Sequence, residues 1–293
     1  MNEPPAPNLG QTNQFAADGP WQAPKLYGVF GDPISHSLSP LMHNKAFAAT
    51  AFAGIYLPFR VGSIRHAVAA MRALDMRGAS VTLPHKISVM SHLDRIDAGA
   101  QKIGAVNTIS NQDGILSGHN SDAVGAVLAL KEQTEIRDRR VAIIGAGGAA
   151  RAIGFGLRTE QATVTIVNRN LDRGEQLAAD LDGQFVPLSE SVDVDCDILI
   201  NATPVGMQPN AAKTPVHMNI FKKGMLVMDA IYTPRQTRFL KEAAAAGCET
   251  IDGLPMFVHQ GACQFELWTG LKAPVAVMRA AVASALGGGH QGS

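Results

Sequence analysis

The stretch that decides the fold is Val141-Ala142-Ile143-Ile144-Gly145-Ala146-Gly147-Gly148-Ala149-Ala150. Four apolar residues typical of a buried strand run into a glycine-rich turn, and an Ala-rich helical pattern follows. The first glycine permits the bend, the second lets the backbone approach a pyrophosphate, and the small third residue lets helix and strand pack closely. Free N–H groups at the helix N-terminus would hold the phosphates. The stretch therefore predicts a dinucleotide site at Gly145, Ala146, Gly147, Gly148 and Ala149, with an ordinary glycine-rich turn as the alternative.

Around this turn, short β-branched runs alternate with Ala-rich helical patterns, which is typical of βαβ units and a mainly parallel sheet. Residues 107–120 differ, because Asp113-Gly114 between two β-prone runs predicts a hairpin. The fold class is therefore α/β. Predicted strands cover residues 26–30, 55–61, 79–83, 141–144, 163–168, 198–201 and 226–230. Predicted helices cover residues 40–53, 64–74, 121–131, 149–158 and 171–181, and two more lie within 254–286.

Length and composition bound the class of protein. The 293 residues argue for two domains, and 46% hydrophobic with 17% charged residues excludes intrinsic disorder. Lys plus Arg and Asp plus Glu each total 25, so no net charge exists to hold nucleic acid. No apolar run reaches membrane-spanning length and residues 1–24 lack a basic n-region, so we expect a cytoplasmic protein. Cys196, Cys248 and Cys263 share no CxxC spacing, which predicts buried, reduced thiols.

The residue that meets the adenosine ribose should follow the next strand, about 20 positions after the glycines. An acid there would favour NAD, but this chain has Asn168-Arg169-Asn170 with Arg173 beyond it. A guanidinium forms paired, charge-assisted bonds to a 2′-phosphate, which an acid would repel. The sequence therefore predicts NADP(H), and the alternative is that both arginines are merely solvated at a helix start.

Polar clusters follow the predicted strands of the first part of the chain, where ligands of an open α/β sheet bind. Ser37 and Ser39 are spaced to face one polyhydroxy or carboxylate ligand, although Ser39 could instead cap the helix that begins near Pro40. Lys86 on position alone reads as a surface charge, but an Asp near a Lys in a cleft can orient it or share its proton. Acid–base work on a carbinol requires such a group, so Lys86 and Asp122 form a candidate pair.

Seven motifs in order resemble the shikimate dehydrogenase family across residues 25–286: GDPISHSLSPLMHN, SVTLPHK, GAVNT, GHNSDAVG, GAGGAARA, NATPVGM and GLPMFVHQGACQFELWTG. The resemblance implies reversible, NADPH-dependent reduction of 3-dehydroshikimate to shikimate on the route to chorismate and the aromatic amino acids. It also implies a split substrate-binding and catalytic domain, residues 25–122 plus 254–286, packed against a Rossmann-type NADP-binding domain, residues 123–253. We expect residues 1–24 to be a disordered leader and residues 287–293 a flexible tail.

The site residues follow from this resemblance. Lys86 and Asp122 resemble the catalytic pair, in which the lysine gives a proton to the developing alkoxide and the aspartate orients it. The positions that resemble substrate contacts are Ser37, Ser39, Ser80, Thr82, Asn107, Tyr232 and Gln260. Beyond the glycine-rich turn, the cofactor contacts fall at Asn168, Arg169, Arg173, Thr203, Gly253 and Met256. We expect a small-molecule substrate, no metal, no nucleic-acid or membrane partner, and a monomer or homodimer.

Two positions depart from the family pattern, since Ser80 stands where Asn is frequent and Ser121 replaces Thr. Loss of a placed polar contact shifts selectivity, which keeps open a quinate/shikimate dehydrogenase or a paralogue acting on a modified shikimate. A non-catalytic NADPH-binding sensor is a third possibility, although it would be expected to lose Lys86 or Asp122. A folate-linked methylene dehydrogenase of similar plan is disfavoured by the paired serines.

Overall fold

The computed structural model describes residues 23–288, so nearly all of the predicted leader and most of the predicted tail lie outside the described residues. The strands are β1 (Lys25–Gly31), β2 (Gly54–Arg60), β3 (Gly78–Val81), β4 (Arg95–Ile96), β5 (Thr108–Gln112), β6 (Ile115–His119), β7 (Arg140–Ile144), β8 (Thr163–Asn168), β9 (Gln184–Pro187), β10 (Ile198–Asn201), β11 (Leu226–Asp229) and β12 (Glu249–Ile251). The α-helices are α1 (Ser39–Ala49), α2 (Ile64–Ala73), α3 (Ala98–Ile103), α4 (Asp122–Lys131), α5 (Gly148–Thr159), α6 (Leu171–Asp180), α7 (Arg238–Ala245), α8 (Leu254–Thr269) and α9 (Val275–Gly288).

The first sheet has the strand order β2-β1-β3-β5-β6-β4, with β1 parallel to both of its neighbours and β5 antiparallel to both of its own. Alternation along β1 sends Tyr27 and Val29 to one face, where α1, α8 and α9 cover them, and Phe30 to the other, where α2 packs. Fully burying a side chain of this size contributes roughly 1.5–3 kcal/mol. The first sheet therefore depends on two helices from the far end of the chain.

The predicted hairpin is present between β5 and β6. Asp113 has φ 52° and Gly114 has φ 88°, so both turn residues adopt positive φ as a two-residue type I′ turn requires. Asn111 Oδ1 accepts a hydrogen bond from the Gly114 N–H at 2.9 Å and steadies the turn. The hairpin returns the chain to the end of β6, directly before α4.

The second sheet is wholly parallel, in the order β12-β11-β10-β7-β8-β9. The chain leaves β7 in one direction across the sheet and resumes beside it at β10, which opens a crevice at the carboxyl ends of these two strands. Helices α4 and α5 cover one face and α7 covers the other. The two mainly parallel sheets confirm the α/β prediction and the Rossmann-type arrangement.

Helices α4 and α8 connect the two sheets and pack tightly on each other. A Cβ at Gly125 would lie 2.9 Å from the Met256 carbonyl oxygen and 3.0 Å from the Gln260 backbone nitrogen, so only glycine fits there. This approach brings the first turn of α4 against the middle of α8. Residues from two distant parts of the chain therefore converge at one place.

The outcome for the cysteines is mixed. All three are free thiols, and Cys196 is buried as predicted. The expectation of burial is wrong for Cys248 and Cys263, which are half-buried. Cys248 directly precedes the edge strand β12, where no neighbouring strand covers it. No helix between residues 23 and 288 has the length and apolar character that crossing a membrane requires.

Candidate active site

The structure brings Lys86 and Asp122 together. Lys86 follows β3 and Asp122 is the first residue of α4, and Lys86 Nζ donates to Asp122 Oδ2 at 2.5 Å. The side chains are 18% and 9% exposed, so the pair is largely shielded from solvent, and we call the space beside it, between the two sheets, the cleft. An ammonium group has three donors, and Asp122 is the single partner of Lys86 Nζ within residues 23–288, which leaves two protons for a ligand oxygen.

Asn107 holds Asp122 in place. Its Nδ2 donates to Asp122 Oδ1 at 2.8 Å and to Ser121 Oγ at 3.0 Å, and its Oδ1 accepts from the Ser121 N–H at 2.8 Å. Because a backbone N–H only donates, this last bond determines which end of the Asn107 amide faces the aspartate. The Asp122 N–H in turn donates to Asn120 Oδ1 at 3.0 Å. One carboxylate oxygen is therefore committed to Asn107 and the other to Lys86.

Ser37 lies between β1 and α1, and Ser39 is the first residue of α1, at the carboxyl edge of the first sheet. Ser39 is buried and is already inside the first turn of α1, while Leu38 occupies the N-cap without a side-chain cap bond. The alternative role of Ser39 as the helix cap is therefore wrong. Ser37 Oγ instead accepts from the Ser39 N–H at 3.3 Å, because the chain curls at this point.

Three further predicted contacts surround the same cleft. Thr82 follows β3 and is half-buried, and its N–H donates to the Phe30 carbonyl at 2.9 Å. Gln260 on α8 is buried, and its Oε1 accepts from Ser121 Oγ at 3.4 Å. Tyr232 comes from beyond β11 in the second sheet and stacks on Phe257 with ring centroids 4.3 Å apart. Burial raises the pKa of Tyr232, and the Leu38 N–H beside its hydroxyl partly opposes that rise, so the tyrosine reaches the serine loop from the opposite sheet.

Ser80 is buried, and its hydroxyl has two partners within the protein. Its hydroxyl accepts from the Tyr56 hydroxyl at 2.7 Å and donates to Gln264 Oε1 at 2.8 Å. Burial raises the pKa of Tyr56, which also stacks on His43 with centroids 4.5 Å apart. Burial lowers the pKa of His43 to about 3, so its ring is neutral and acts in packing. The sequence analysis missed Tyr56 and Gln264, although Gln264 lies four residues after Gln260 and so shares its face of α8.

No grouping of three or more His, Cys, Asp or Glu side chains suited to a metal ion occurs in the part of the chain that the structure describes. Two histidines near the cleft are engaged in other contacts. The His85 ring lies 2.7 Å from the Val61 carbonyl, and His119 bonds Ser110 at 3.1 Å. These contacts hold the loops that carry the cleft residues.

The glycine-rich turn has the shape that a pyrophosphate needs. Gly145 adopts φ +114°, and a Cβ there would lie 2.9 Å from Thr203 Cγ2. A Cβ at Gly147 would have nothing within 4 Å, so this residue faces open space at the start of α5, where no side chain caps the helix. Ala150 is fully buried, as the third small position requires. Thr203 lies beside the turn and is held by Asn201 Oδ1, which accepts from its N–H at 3.0 Å and its hydroxyl at 2.7 Å.

The arginines lie at the end of β8, where an adenosine ribose would lie. Asn170 caps α6 by accepting from the Arg173 N–H at 2.9 Å, and Asn168 Nδ2 donates to the Asn170 carbonyl at 2.8 Å. Arg169 and Arg173 are both exposed, and neither forms an ion pair with any residue from 23 to 288. Two free guanidinium groups beside the turn suit a 2′-phosphate, so the donor set fits NADP(H).

The two sheets meet where the candidate pair and the glycine-rich turn face each other. A Cβ at Gly148 would lie 3.8 Å from Lys86 Cδ, so the lysine passes the first turn of α5. Gly253 approaches the backbone of Ile231, where a Cβ would lie 2.5 Å from the carbonyl carbon. Met256, one turn further, is 6% exposed and belongs to the core of the second sheet. The Lys86–Asp122 pair and the glycine-rich turn thus lie next to each other.

Profiles of one family match three consecutive parts of the chain. They are described as the shikimate dehydrogenase substrate binding domain over residues 29–109, shikimate/quinate 5-dehydrogenase over residues 127–254, and the shikimate 5′-dehydrogenase C-terminal domain over residues 253–283. An NADP(+) shikimate dehydrogenase of Methanococcus maripaludis is 42% identical over 271 residues, covering 89% of this chain and 97% of that protein.

Solved structures agree with these matches. The shikimate 5-dehydrogenase of Thermus thermophilus, in complex with NADP(H) and shikimate, superposes with a TM-score of 0.84 at 36% identity, covering 89% of this chain and 100% of that one. A 5-ketofructose reductase of Gluconobacter sp. strain CHM43 superposes with a TM-score of 0.79 at 37% identity, covering 89% of this chain and 99% of that one. The same architecture therefore also carries a reductase with another substrate name.

Fold, site and relatives together define an NADP-dependent oxidoreductase acting on a CH–OH group. The expectation of NADP(H) is thereby confirmed. The chain belongs to the shikimate dehydrogenase family. The comparisons favour a shikimate dehydrogenase over the NADPH-binding sensor and the folate-linked methylene dehydrogenase.

Proposed function

We propose that the protein catalyses the reversible NADPH-dependent reduction of 3-dehydroshikimate to shikimate, with Lys86 as the proton donor. One observation carries this proposal. The half-buried Lys86 Nζ lies 2.5 Å from Asp122 Oδ2 at the crevice that the glycine-rich turn enters. A ketone reduced in this crevice would meet a proton source on the first sheet and a hydride source held by the second. The step serves chorismate and aromatic amino acid biosynthesis.

The residues of the chain supply the proton and the orientation. NADPH, when bound, supplies the hydride. As the carbonyl carbon gains the hydride, Lys86 Nζ gives one proton to the carbonyl oxygen, which becomes the carbinol hydroxyl. In the oxidative direction the neutral amine takes that proton back. Asp122 orients the Lys86 side chain, and Asn107 keeps Asp122 in place through the bond of 2.8 Å to Oδ1.

The remaining cleft residues would hold the substrate. We assign its carboxylate to the hydroxyls of Ser37 and Ser39, which lie on the loop nearest Tyr232. We assign the ring hydroxyls to Thr82, Asn107 and Gln260. The two amide protons of Asn107 go to Asp122 and Ser121, so Asn107 would reach a substrate hydroxyl by releasing the Ser121 bond. Because hydroxyls and amides are neutral donors and acceptors, they select by placement and not by charge.

We divide the chain into two domains, one around each sheet. We assign residues 25–122 and 254–286 to the substrate-binding and catalytic domain and residues 123–253 to the NADP-binding domain. Close packing of α4 on α8 at Gly125 supports a boundary next to Asp122. We place the reaction in the cytoplasm, where thiols such as Cys196 stay reduced, and expect a monomer or homodimer, which light scattering distinguishes.

The test is a matrix of initial rates followed by NADPH absorbance. Shikimate and quinate are each oxidised with NADP⁺ and with NAD⁺, and 5-ketofructose is offered with NADPH because a relative of this fold is named for it. We expect rapid turnover with shikimate and NADP⁺ alone, slowed at least about a hundredfold in a Lys86→Met variant. Faster turnover of quinate or of the keto sugar, or silence with every substrate, would overturn the assignment.

A further inference from the structure

The Ser80 hydroxyl is already occupied by the protein. It has one proton to give, which goes to Gln264 Oε1 at 2.8 Å, and it accepts the proton of Tyr56 at 2.7 Å. Ser80 is also buried, at 7% exposed. Ser80 Oγ keeps one lone pair, so it could accept a hydrogen bond from a substrate hydroxyl but has no proton left to donate to one.

Gln264 is the residue that accepts the Ser80 hydroxyl proton. It is 1% exposed although it carries a full carboxamide, so its polar atoms need partners inside the protein. Its Oε1 takes the Ser80 proton, and its Nε2 donates to Thr108 Oγ1 at 2.9 Å and to the Asn107 carbonyl at 3.3 Å. Gln264 therefore ties α8 to the start of β5, directly beneath Asn107.

These bonds continue to the candidate catalytic pair. Because Thr108 receives the Gln264 amide proton, its own hydroxyl proton points to Asn107 Oδ1 at 2.7 Å. Asn107 Nδ2 then donates to Asp122 Oδ1 at 2.8 Å. Every donor from Tyr56 to Asp122 points the same way along this path, an arrangement in which each bond polarises the next.

We propose that Gln264 is a positioning residue for Asp122 and Lys86, and that Ser80 seats Gln264 instead of binding the substrate. This inference rests on the proposed function, since it concerns how the same pair is held. The Ser121 N–H sets which end of the Asn107 side-chain amide faces Asp122. The two bonds that Gln264 Nε2 donates, to the Asn107 carbonyl and to Thr108 Oγ1, set where Asn107 itself lies. Displacing Asn107 displaces the carboxylate that orients the lysine.

The short side chain at position 80 is part of this arrangement. Gln264 Oε1 lies 2.8 Å from Ser80 Oγ, so a longer amide side chain at position 80 would occupy the space of the Gln264 carboxamide. Ser80 and Gln264 are thus complementary in size. The Gln264 carboxamide fills the space that the amide of an asparagine would take at position 80. Substrate selectivity therefore does not depend on a missing contact at that position.

The central test is Gln264→Met, which keeps the length and packing of the side chain and removes its hydrogen bonds. We expect kcat/KM for shikimate to fall by about tenfold or more, because small displacements of a catalytic group are costly. The Kd for NADPH should stay within about twofold. The isotope effect on kcat with NADPH deuterated at the transferred position should rise, because the chemical step becomes slower relative to product release.

Two more variants complete the design. Ser80→Ala should act through Gln264, so the double variant Ser80→Ala/Gln264→Met should be no slower than Gln264→Met alone. Asn111→Ala is the matched control, since it removes buried bonds to Met76 and Gly114 at the far end of β5. It should lower the melting temperature without changing turnover per active site or the isotope effect.

A readout that needs no substrate separates this inference from the proposed function. The side-chain amide protons of Asn107 should exchange with solvent at least about tenfold faster in Gln264→Met than in the wild type or Asn111→Ala. Unchanged exchange and unchanged kcat per site in Gln264→Met would overturn the positioning role. Additive losses in the double variant, with a raised KM for shikimate in Ser80→Ala, would return Ser80 to the substrate. A wild type inactive on shikimate would refute the proposed function alone.

Discussion

Replacing Lys86 by Met removes the ammonium group that faces Asp122 and keeps most of the side-chain volume. Lys86 Nζ is 2.5 Å from Asp122 Oδ2, and Asp122 forms an ion pair with no other cation among residues 23–288. A positioned proton donor contributes about 10²–10⁴-fold to a rate. That factor corresponds to about 3–5 kcal/mol of barrier. We expect kcat for shikimate oxidation to fall by this factor.

Cofactor binding should survive the same substitution. Lys86 Cδ lies 3.8 Å from where a Cβ of Gly148 would be, so the stem passes the phosphate-binding turn without a polar contact to it. Folding should survive as well, because Asp122 keeps the Asn107 amide bond of 2.8 Å. The lost charged partner costs about 3–5 kcal/mol of unfolding free energy, because a buried carboxylate is left without its cation.

The assay combines three measurements on Lys86→Met. Turnover is followed by NADPH absorbance, the Kd for NADPH by its fluorescence, and stability by thermal unfolding. Lys102→Met, which removes an exposed lysine on α3, is the control and should match the wild type in all three. A Lys86→Met enzyme that keeps more than about a tenth of the wild-type kcat would refute the proton-donor role.

Three other substitutions test separate parts of the molecule. Arg169→Ala should raise the KM for NADP⁺ about 10–100-fold and leave that for NAD⁺ nearly unchanged, because a charge-assisted bond contributes about 1.5–3 kcal/mol; equal effects on both cofactors would remove the 2′-phosphate assignment. Gly125→Ala should lower the unfolding free energy by about 1–3 kcal/mol, since its Cβ would lie 2.9 Å from the Met256 carbonyl oxygen, and an unchanged denaturant midpoint would contradict this close approach. Asp229 is fully buried, and desolvation raises its pKa to about 6, above the unfolded value of about 3.9. The folded state binds this proton more tightly, so the stability that the group contributes is complete at low pH and is lost as pH rises through about 6. Asp229→Asn should therefore gain stability over the wild type between about pH 4 and pH 7 in denaturant titrations, and parallel curves would refute the shift.

Local features of the fold were predictable because the residues themselves carry the conformation. The positive φ values of Asp113 and Gly114 define the hairpin, and Gly145 defines the turn after β7. Helix ends were less predictable. The helix expected to reach residue 53 stops at Ala49, because the Thr50 hydroxyl bonds the Ala46 carbonyl and the chain turns sharply toward β2.

Short edge elements escaped prediction for a different reason. Strands β9 and β12 contain three or four residues and lie at the two edges of the second sheet, so they show too few alternations to form a pattern. Helices α3 and α7 are similarly brief, with six and eight residues. Their positions depend on packing against longer elements and not on their own periodicity.

The candidate pair was predictable from the polar clusters around it and from the family motifs, and not from position alone, where Lys86 resembles an ordinary surface charge. The structure brings Lys86 and Asp122 into contact. Tyr56 and Gln264 look like ordinary members of a strand and a helix. Their role appears only when Ser80 and Gln264 meet across 184 positions of sequence, a separation that no local pattern reports.

The return of α8 to the first sheet has a consequence for synthesis on the ribosome. Trp268 Nε1 donates to the Ile109 carbonyl across 159 positions of sequence. The first sheet is translated first, but it cannot complete its packing until α8, nearly the last helix, has been made. The central parallel sheet draws its strands from one continuous segment and can fold while the tail is still being made. Domain maturation therefore runs in the reverse of translation order, and a nascent chain halted before α8 would bind nucleotide before it could bind a polyol acid.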